Sequence, residues 1–158
     1  MAHEHSFHSL VRWTGNQGTG NKTYKGYART WQVETPGKQI IECSNDPLLG
    51  GDATLHNPED LLIATVASCH MLWYLHLAHT AGVVVTGYQD IPEGVGESEP
   101  SGAGRFIKAI LRPQITLAAG TDIAMADAVH GEIHKVCFIA RSVNFPITIE
   151  ATYTHDAA

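Results

Sequence analysis

The residues from Asn57 to Thr80 constrain this chain more than any others. Asn57-Pro58-Glu59-Asp60-Leu61-Leu62 runs unbroken into Ala67-Ser68-Cys69-His70. Asn57 suits an N-cap, Pro58 the first helical turn, and Glu59 and Asp60 the positive end of a helix dipole. Gly82 follows where a left-handed residue after the C-terminus is expected. The spacing predicts a helix over 58–80. Its first half is apolar on nearly every side, the pattern of a helix built to be buried. One thiol, Cys69, sits near its middle.

Around that helix the remaining signals alternate. Strand patterns run over 7–13, 27–33 and 39–44, with a Gly- and Asn-rich turn after the first and a loop over 45–56. A strand over 83–90 follows the helix, then a Gly-, Pro-, Ser- and Glu-rich stretch over 92–104 that reads as a flexible loop. A strand over 106–117 contains Pro113, which favours an edge position or a bulge. Thr121 is the expected cap of a second long helix over 122–141, and a strand over 145–153 closes the chain. This order predicts one α+β domain spanning residues 1–158, two long helices packed on antiparallel sheet. A chain of 158 residues is long enough for one such core.

Three cysteines cannot all pair within one chain, and in a reducing compartment a dithiol is more often catalytic or metal-binding than structural. Cys69 lies too far from the helix N-terminus to be activated by the dipole. Without a positive neighbour it is a small, inert, buried hydrophobe. Cys137 lies in His130-Gly131-Glu132-Ile133-His134-Lys135-Val136-Cys137-Phe138. On a continuous helix His130, His134 and Cys137 would share one face. That face reads as a packed helix with histidines at its margin, as a resolving thiol, or as a soft metal-ligand trio that Cys69 could complete to four zinc ligands. No Cys-x-x-Cys knuckle supports the zinc reading. Cys43 shares the alternation of Ile41 and reads as structural.

Glu59 precedes Cys69 by ten residues, about 15 Å of helical rise. The two cannot meet on one straight helix. If they serve one site, the helix bends or a second subunit supplies one of them, which predicts a homodimer. By itself Glu59 is a favourable charge in a first helical turn.

A net charge of -6, from 10 basic and 16 acidic residues, disfavours nucleic-acid binding. The segment 1–12 has no apolar core of signal-peptide length. The longest apolar run is broken by Ser68 and His70 and reads as too short for a membrane span. The expected location is the cytoplasm.

With these residues in view the chain resembles the OsmC/Ohr family of thiol-dependent hydroperoxide reductases, and most closely its OsmC-like branch. The motifs that carry the likeness are Asn57-Pro58-Glu59-Asp60-Leu61-Leu62 with Ala67-Ser68-Cys69-His70, then Cys137-Phe138-Ile139-Ala140-Arg141-Ser142, with Tyr27-Ala28-Arg29-Thr30 before them. The resemblance covers about 27–153. It implies an intertwined homodimer with two central helices, and a peroxidase of oxidative or osmotic stress defence acting on organic hydroperoxides and on hydrogen peroxide. It implies that Cys69 is the peroxidatic thiol and Cys137 the resolving one. Arg29, a better-spaced match than Arg12, would hold Cys69 as a thiolate, and Glu59 would orient Arg29. The thiolate would attack the peroxide, the resulting sulfenic acid would condense with Cys137, and an external dithiol would reduce the disulfide. Leu72, Trp73 and Phe138 would line an apolar pocket. No metal, flavin or haem is called for. The alternatives from other classes are a metal-binding protein using His130, His134 and Cys137, and a non-catalytic OsmC-like scaffold that binds a ligand.

Overall fold

The computed structural model describes residues 3–157, so Met1, Ala2 and Ala158 at the ends of the expected domain lie outside the described residues. The chain divides into two compact units, Met1–Leu61 and Leu62–Ala158.

The first unit holds one antiparallel sheet of β1 (Leu10–Trp13), β2 (Trp31–Glu34) and β3 (Ile41–Cys43), in that order. These strands are shorter than their apolar patterns suggested. β1 gives way to the Asn16 turn, where the Asn16 side chain accepts from the amides of Gly18 and Gly20. Gly15 is required there, because a Cβ would lie 1.8 Å from the Ala28 carbonyl oxygen. The loop before the first long helix contains a 3-10 turn, Pro47–Leu49, capped by Asp46. Cys43 is fully buried at the end of β3.

Helix α1 (Pro58–Thr80) starts in the last residues of the first unit and runs through the second. Its start is a reciprocal cap: the Asn57 side chain accepts from the Asp60 amide at 2.7 Å, and Asp60 accepts from the Asn57 amide at 3.4 Å. Gly82, at φ +77°, ends it as expected. Val66, His70, Tyr74 and Ala78 recur every four residues on its buried side. At 23 residues α1 is long and apolar enough, by length and composition, to cross a membrane, which corrects the expectation of a run too short to span.

The second unit carries two sheets. β4 (Val85–Asp90), β7 (Pro113–Leu117) and β9 (Thr152–His155) form one, in the order β4-β7-β9. β5 (Glu93–Ser98), β6 (Gly104–Leu111) and β8 (Ile147–Ile149) form the other, in the order β5-β6-β8. Both are mixed rather than antiparallel, since β8 pairs parallel to β6 and β9 parallel to β7. The expected flexible loop over 92–104 is instead β5 and the turn into β6. Arg105 ties that hairpin to Glu97 at 2.8 Å.

Two single strands read from the sequence are each two strands, because the chain passes from one sheet to the other. The first break falls at Arg112-Pro113. Proline has no amide to donate and restricts the residue before it. The Arg112 amide donates instead to the Asp90 carboxylate at 2.7 Å, and its guanidinium bridges Glu93 at 2.7 Å and Glu150 at 2.9 Å. The second break separates β8 from β9 at Glu150 and Ala151.

The expected second long helix is also corrected. Asp122, not Thr121, is its cap, accepting from the Ala124 amide at 2.8 Å. It consists of α2 (Ile123–Ala128) and α3 (His130–Val136), separated at Val129 by a tight turn in which the Glu132 amide donates to the Val129 carbonyl. α3 stops before Cys137, whose backbone is extended at φ -67°, ψ 114°. The Cys137 sulfur then accepts from the Ala140 amide at 3.4 Å, and Ser142 donates to the Phe138 carbonyl. These bonds fold 137–142 into a turn. The core of this unit joins Tyr74 and Ala78 of α1 to Ile115 and Leu117 of β7, Ile133 of α3, and Cys137.

Candidate active site

The two thiols predicted to act together are brought together. Cys69 is half-buried on α1 and packs against the cluster that contains the fully buried Cys137. Both are free thiols, joined by a hydrogen bond. Burial is the main cause that pushes the Cys137 thiol up to about 11, and its bond to Cys69 raises it further. The Ala140 amide works in the opposite direction. The pairing lives in tertiary packing: α1 supplies one sulfur, and the end of α3 the other.

His130 and His134 lie on α3, and Cys137 is its C-cap, its amide donating to the Ile133 carbonyl at 2.8 Å. Among the described residues no group of three or more His, Cys, Asp or Glu side chains is placed to hold a metal ion.

Arg29 and Glu59 lie in the first unit. Arg29 precedes β2 and is half-buried. Its guanidinium donates to the Tyr27 carbonyl at 3.0 Å and the Tyr24 carbonyl at 2.7 Å. It also lies over both tyrosine rings, at 4.3 Å and 4.5 Å from their centroids. Glu59 is exposed in the first turn of α1, and no ion pair joins it to Arg29. Arg12 is committed elsewhere, to Glu34 at 2.8 Å. The expected apolar pocket is only partly assembled within one chain: Trp73 packs on the core, while Leu72 and Phe138 are 63% and 62% exposed. Cys43 is fully buried, and its thiol is raised first by burial and then by Glu42.

Sequence reasoning missed the partnership of His70 with His130. His70 Nε2 and His130 Nδ1 are 2.8 Å apart, and the rings are stacked with centroids at 5.1 Å. His130 also stacks on Tyr74 at 4.5 Å. Burial pushes each imidazole down to about 4; His130 itself lowers His70 further, while Asp127 works to raise His130. The sequence signal was there: His70 falls in the four-residue stripe of Val66, Tyr74 and Ala78. Because folded pKa values near 4 lie below the ordinary 6.5, the unfolded chain binds more protons between those limits. Stability contributed by the pair is full above about pH 6.5 and is lost as pH falls toward 4. Urea midpoints compared at neutral pH and at about pH 4.5 read this directly; a midpoint unchanged between the two would contradict it.

An α+β protein with a hydrogen-bonded thiol pair, one sulfur on a long core helix and one at the end of a short helix, is the class that fold and site define. The chain belongs to the OsmC-like family, whose model matches residues 51–152. It is 23% identical to the uncharacterized protein YmaD of Bacillus subtilis, over 94% of this chain and 95% of that one. Among solved structures it is similar to an OsmC-like protein of unknown function from Vibrio cholerae, with a TM-score of 0.82 and 27% identity, covering 96% of this chain and all of that one, 100%. An organic hydroperoxide resistance protein from Elizabethkingia anophelis shares the fold at a TM-score of 0.70 and 16% identity, covering 99% of this chain and 100% of the other.

Proposed function

We infer that this protein is a two-cysteine hydroperoxide reductase. The observation that carries the reading is the approach of Cys69 to Cys137, two thiols far apart in sequence that the folded chain packs into one cluster. Family membership supports it, as does likeness to proteins described as organic hydroperoxide resistance proteins from Legionella pneumophila and Elizabethkingia anophelis.

In this cycle the Cys69 thiolate attacks one peroxide oxygen. The O–O bond breaks, Cys69 becomes a sulfenic acid, and the leaving alkoxide takes up a proton as an alcohol. The Cys137 sulfur then attacks the Cys69 sulfur. Its proton and the sulfenic hydroxyl leave as water, and a disulfide forms. An external dithiol exchanges with that disulfide and is itself oxidised. Arg29 supplies the cation that favours the attacking thiolate, and Glu59 orients it. An Arg29→Ala variant whose Cys69 alkylates as fast as wild type would remove Arg29 from the site.

The same reading places the protein as a homodimer in a reducing, cytoplasmic compartment. The dimer is supported by α1, in whose most apolar window only 33% of residues are buried within one chain, with Leu72 and Leu75 at the surface. Purified protein is expected to consume cumene hydroperoxide in the presence of a dithiol, and to sediment as a dimer. Failure to consume either an organic hydroperoxide or hydrogen peroxide would leave a ligand-binding scaffold.

A further inference from the structure

Arg29 is held by its own neighbours in the first unit. The turn that precedes it closes with the Gly26 amide donating to the Thr23 carbonyl at 3.0 Å. That turn presents the carbonyls of Tyr24 and Tyr27 to one guanidinium, and the same guanidinium lies over both rings. The two kinds of contact are compatible, because a guanidinium donates in its plane and meets an aromatic ring with its face. A lysine ammonium has no such plane to divide between them. Tyr27 is fixed in turn by β1. Its ring meets Trp13 edge-on at 5.8 Å, and the Trp13 indole N–H donates to the Ala28 carbonyl at 3.0 Å. The Arg29 carbonyl accepts from the hydroxyl of Ser44, a fully buried residue, at 3.4 Å.

All of these supports are neutral. Among the described residues no carboxylate forms an ion pair with Arg29. Carbonyls and rings fix a cation without adding a negative charge beside it, so its field at a thiolate is kept. A guanidinium carries more N–H groups than two bonds to its own loop consume. A freely moving arginine side chain loses rotamer entropy when it meets an anion, and one already ordered loses less. We propose that Tyr24 and Tyr27 are positioning residues, an aromatic pair that holds the Arg29 guanidinium ordered and still charged for the sulfur anion it serves. The inference rests on the reading of Arg29 as the cation for Cys69, and adds what fixes that cation within its own chain. Tyr24 separates this role from core packing, because it lies at the surface, 69% exposed.

The test reads Arg29 and Cys69 separately in the full-length protein. Tyr24→Leu keeps the backbone carbonyl and loses the ring, while Tyr24→Phe keeps both. Relaxation of the ¹⁵N-labelled Arg29 Nε–H is expected to show an ordered side chain in wild type and in Tyr24→Phe, and a mobile one in Tyr24→Leu. Iodoacetamide reacts with the thiolate, and its rate at Cys69 near neutral pH is followed by peptide mass. That rate is expected to fall about two- to fivefold in Tyr24→Leu, with the pH of half-maximal rate moved up. Tyr27→Leu is expected to act in the same direction, and Tyr24→Phe to alkylate as wild type. Arg29→Ala is measured beside them. If Arg29→Ala slows alkylation and Tyr24→Leu does not, or if Arg29 stays ordered in Tyr24→Leu, the positioning role is overturned and the reading of Arg29 stands. If Arg29→Ala alkylates as fast as wild type, that reading falls and the positioning role falls with it. Equal loss in Tyr24→Phe and Tyr24→Leu would also overturn the role, because the ring face would not be what holds the cation.

Discussion

Replacing Cys69 with serine is expected to abolish dithiol-dependent hydroperoxide consumption, a loss on the order of a thousandfold or more. The chemistry needs a sulfur that can be oxidised and then attacked by a second sulfur, and a hydroxyl does neither. Stability is expected to change little, because Cys69 is only half-buried and serine differs by one atom. The assay is consumption of cumene hydroperoxide and of hydrogen peroxide, wild type beside variant at equal concentration. Activity retained in Cys69→Ser would remove this residue as the nucleophile, and with it the reading that rests on the thiol pair. The ratio of the two wild-type rates reports which peroxide the site prefers.

Cys137→Ser separates the two halves of the cycle. Its first oxidation is expected to proceed, because the attacking sulfur is still present. Turnover is expected to fall on the order of a hundredfold or more, because a thiol in contact acts at an effective concentration that no external thiol reaches. Cys69 should then accumulate as a sulfenic acid and pass to sulfinic acid under excess peroxide, seen as mass increases of one and two oxygens. The serine oxygen can still accept from the Ala140 amide, so the turn over 137–142 should hold. Undiminished turnover, or no oxidation at all, would each contradict the resolving role.

What was legible in the sequence is what local chemistry controls. α1 was legible because its cap, its acidic first turn and its terminal glycine are all local, and the observed helix ends where those signals place it. Where the chain changes partners, the reading failed. β6 and β7 look like one strand because each alternates correctly, and only the pairing of one with β5 and β8 and of the other with β4 and β9 makes Arg112 a corner. The second helix looked continuous because its apolar spacing carries across Val129. Its end before Cys137 is set by the extended Cys137 backbone and the turn that its sulfur caps.

The candidate site divides the same way. Its residue types and family motifs are present in the linear chain, and they place the protein in the OsmC-like family before any coordinate is consulted. By itself the sequence determined one long capped core helix, an α+β class, and two thiols that only a fold could join, because these follow from composition and short-range spacing. Only the tertiary structure decided that Cys137 comes to lie beside Cys69, that His70 pairs with His130, and that these two histidines line a cavity. Each of those depends on burial and on contacts between elements far apart in the chain, which no local pattern encodes.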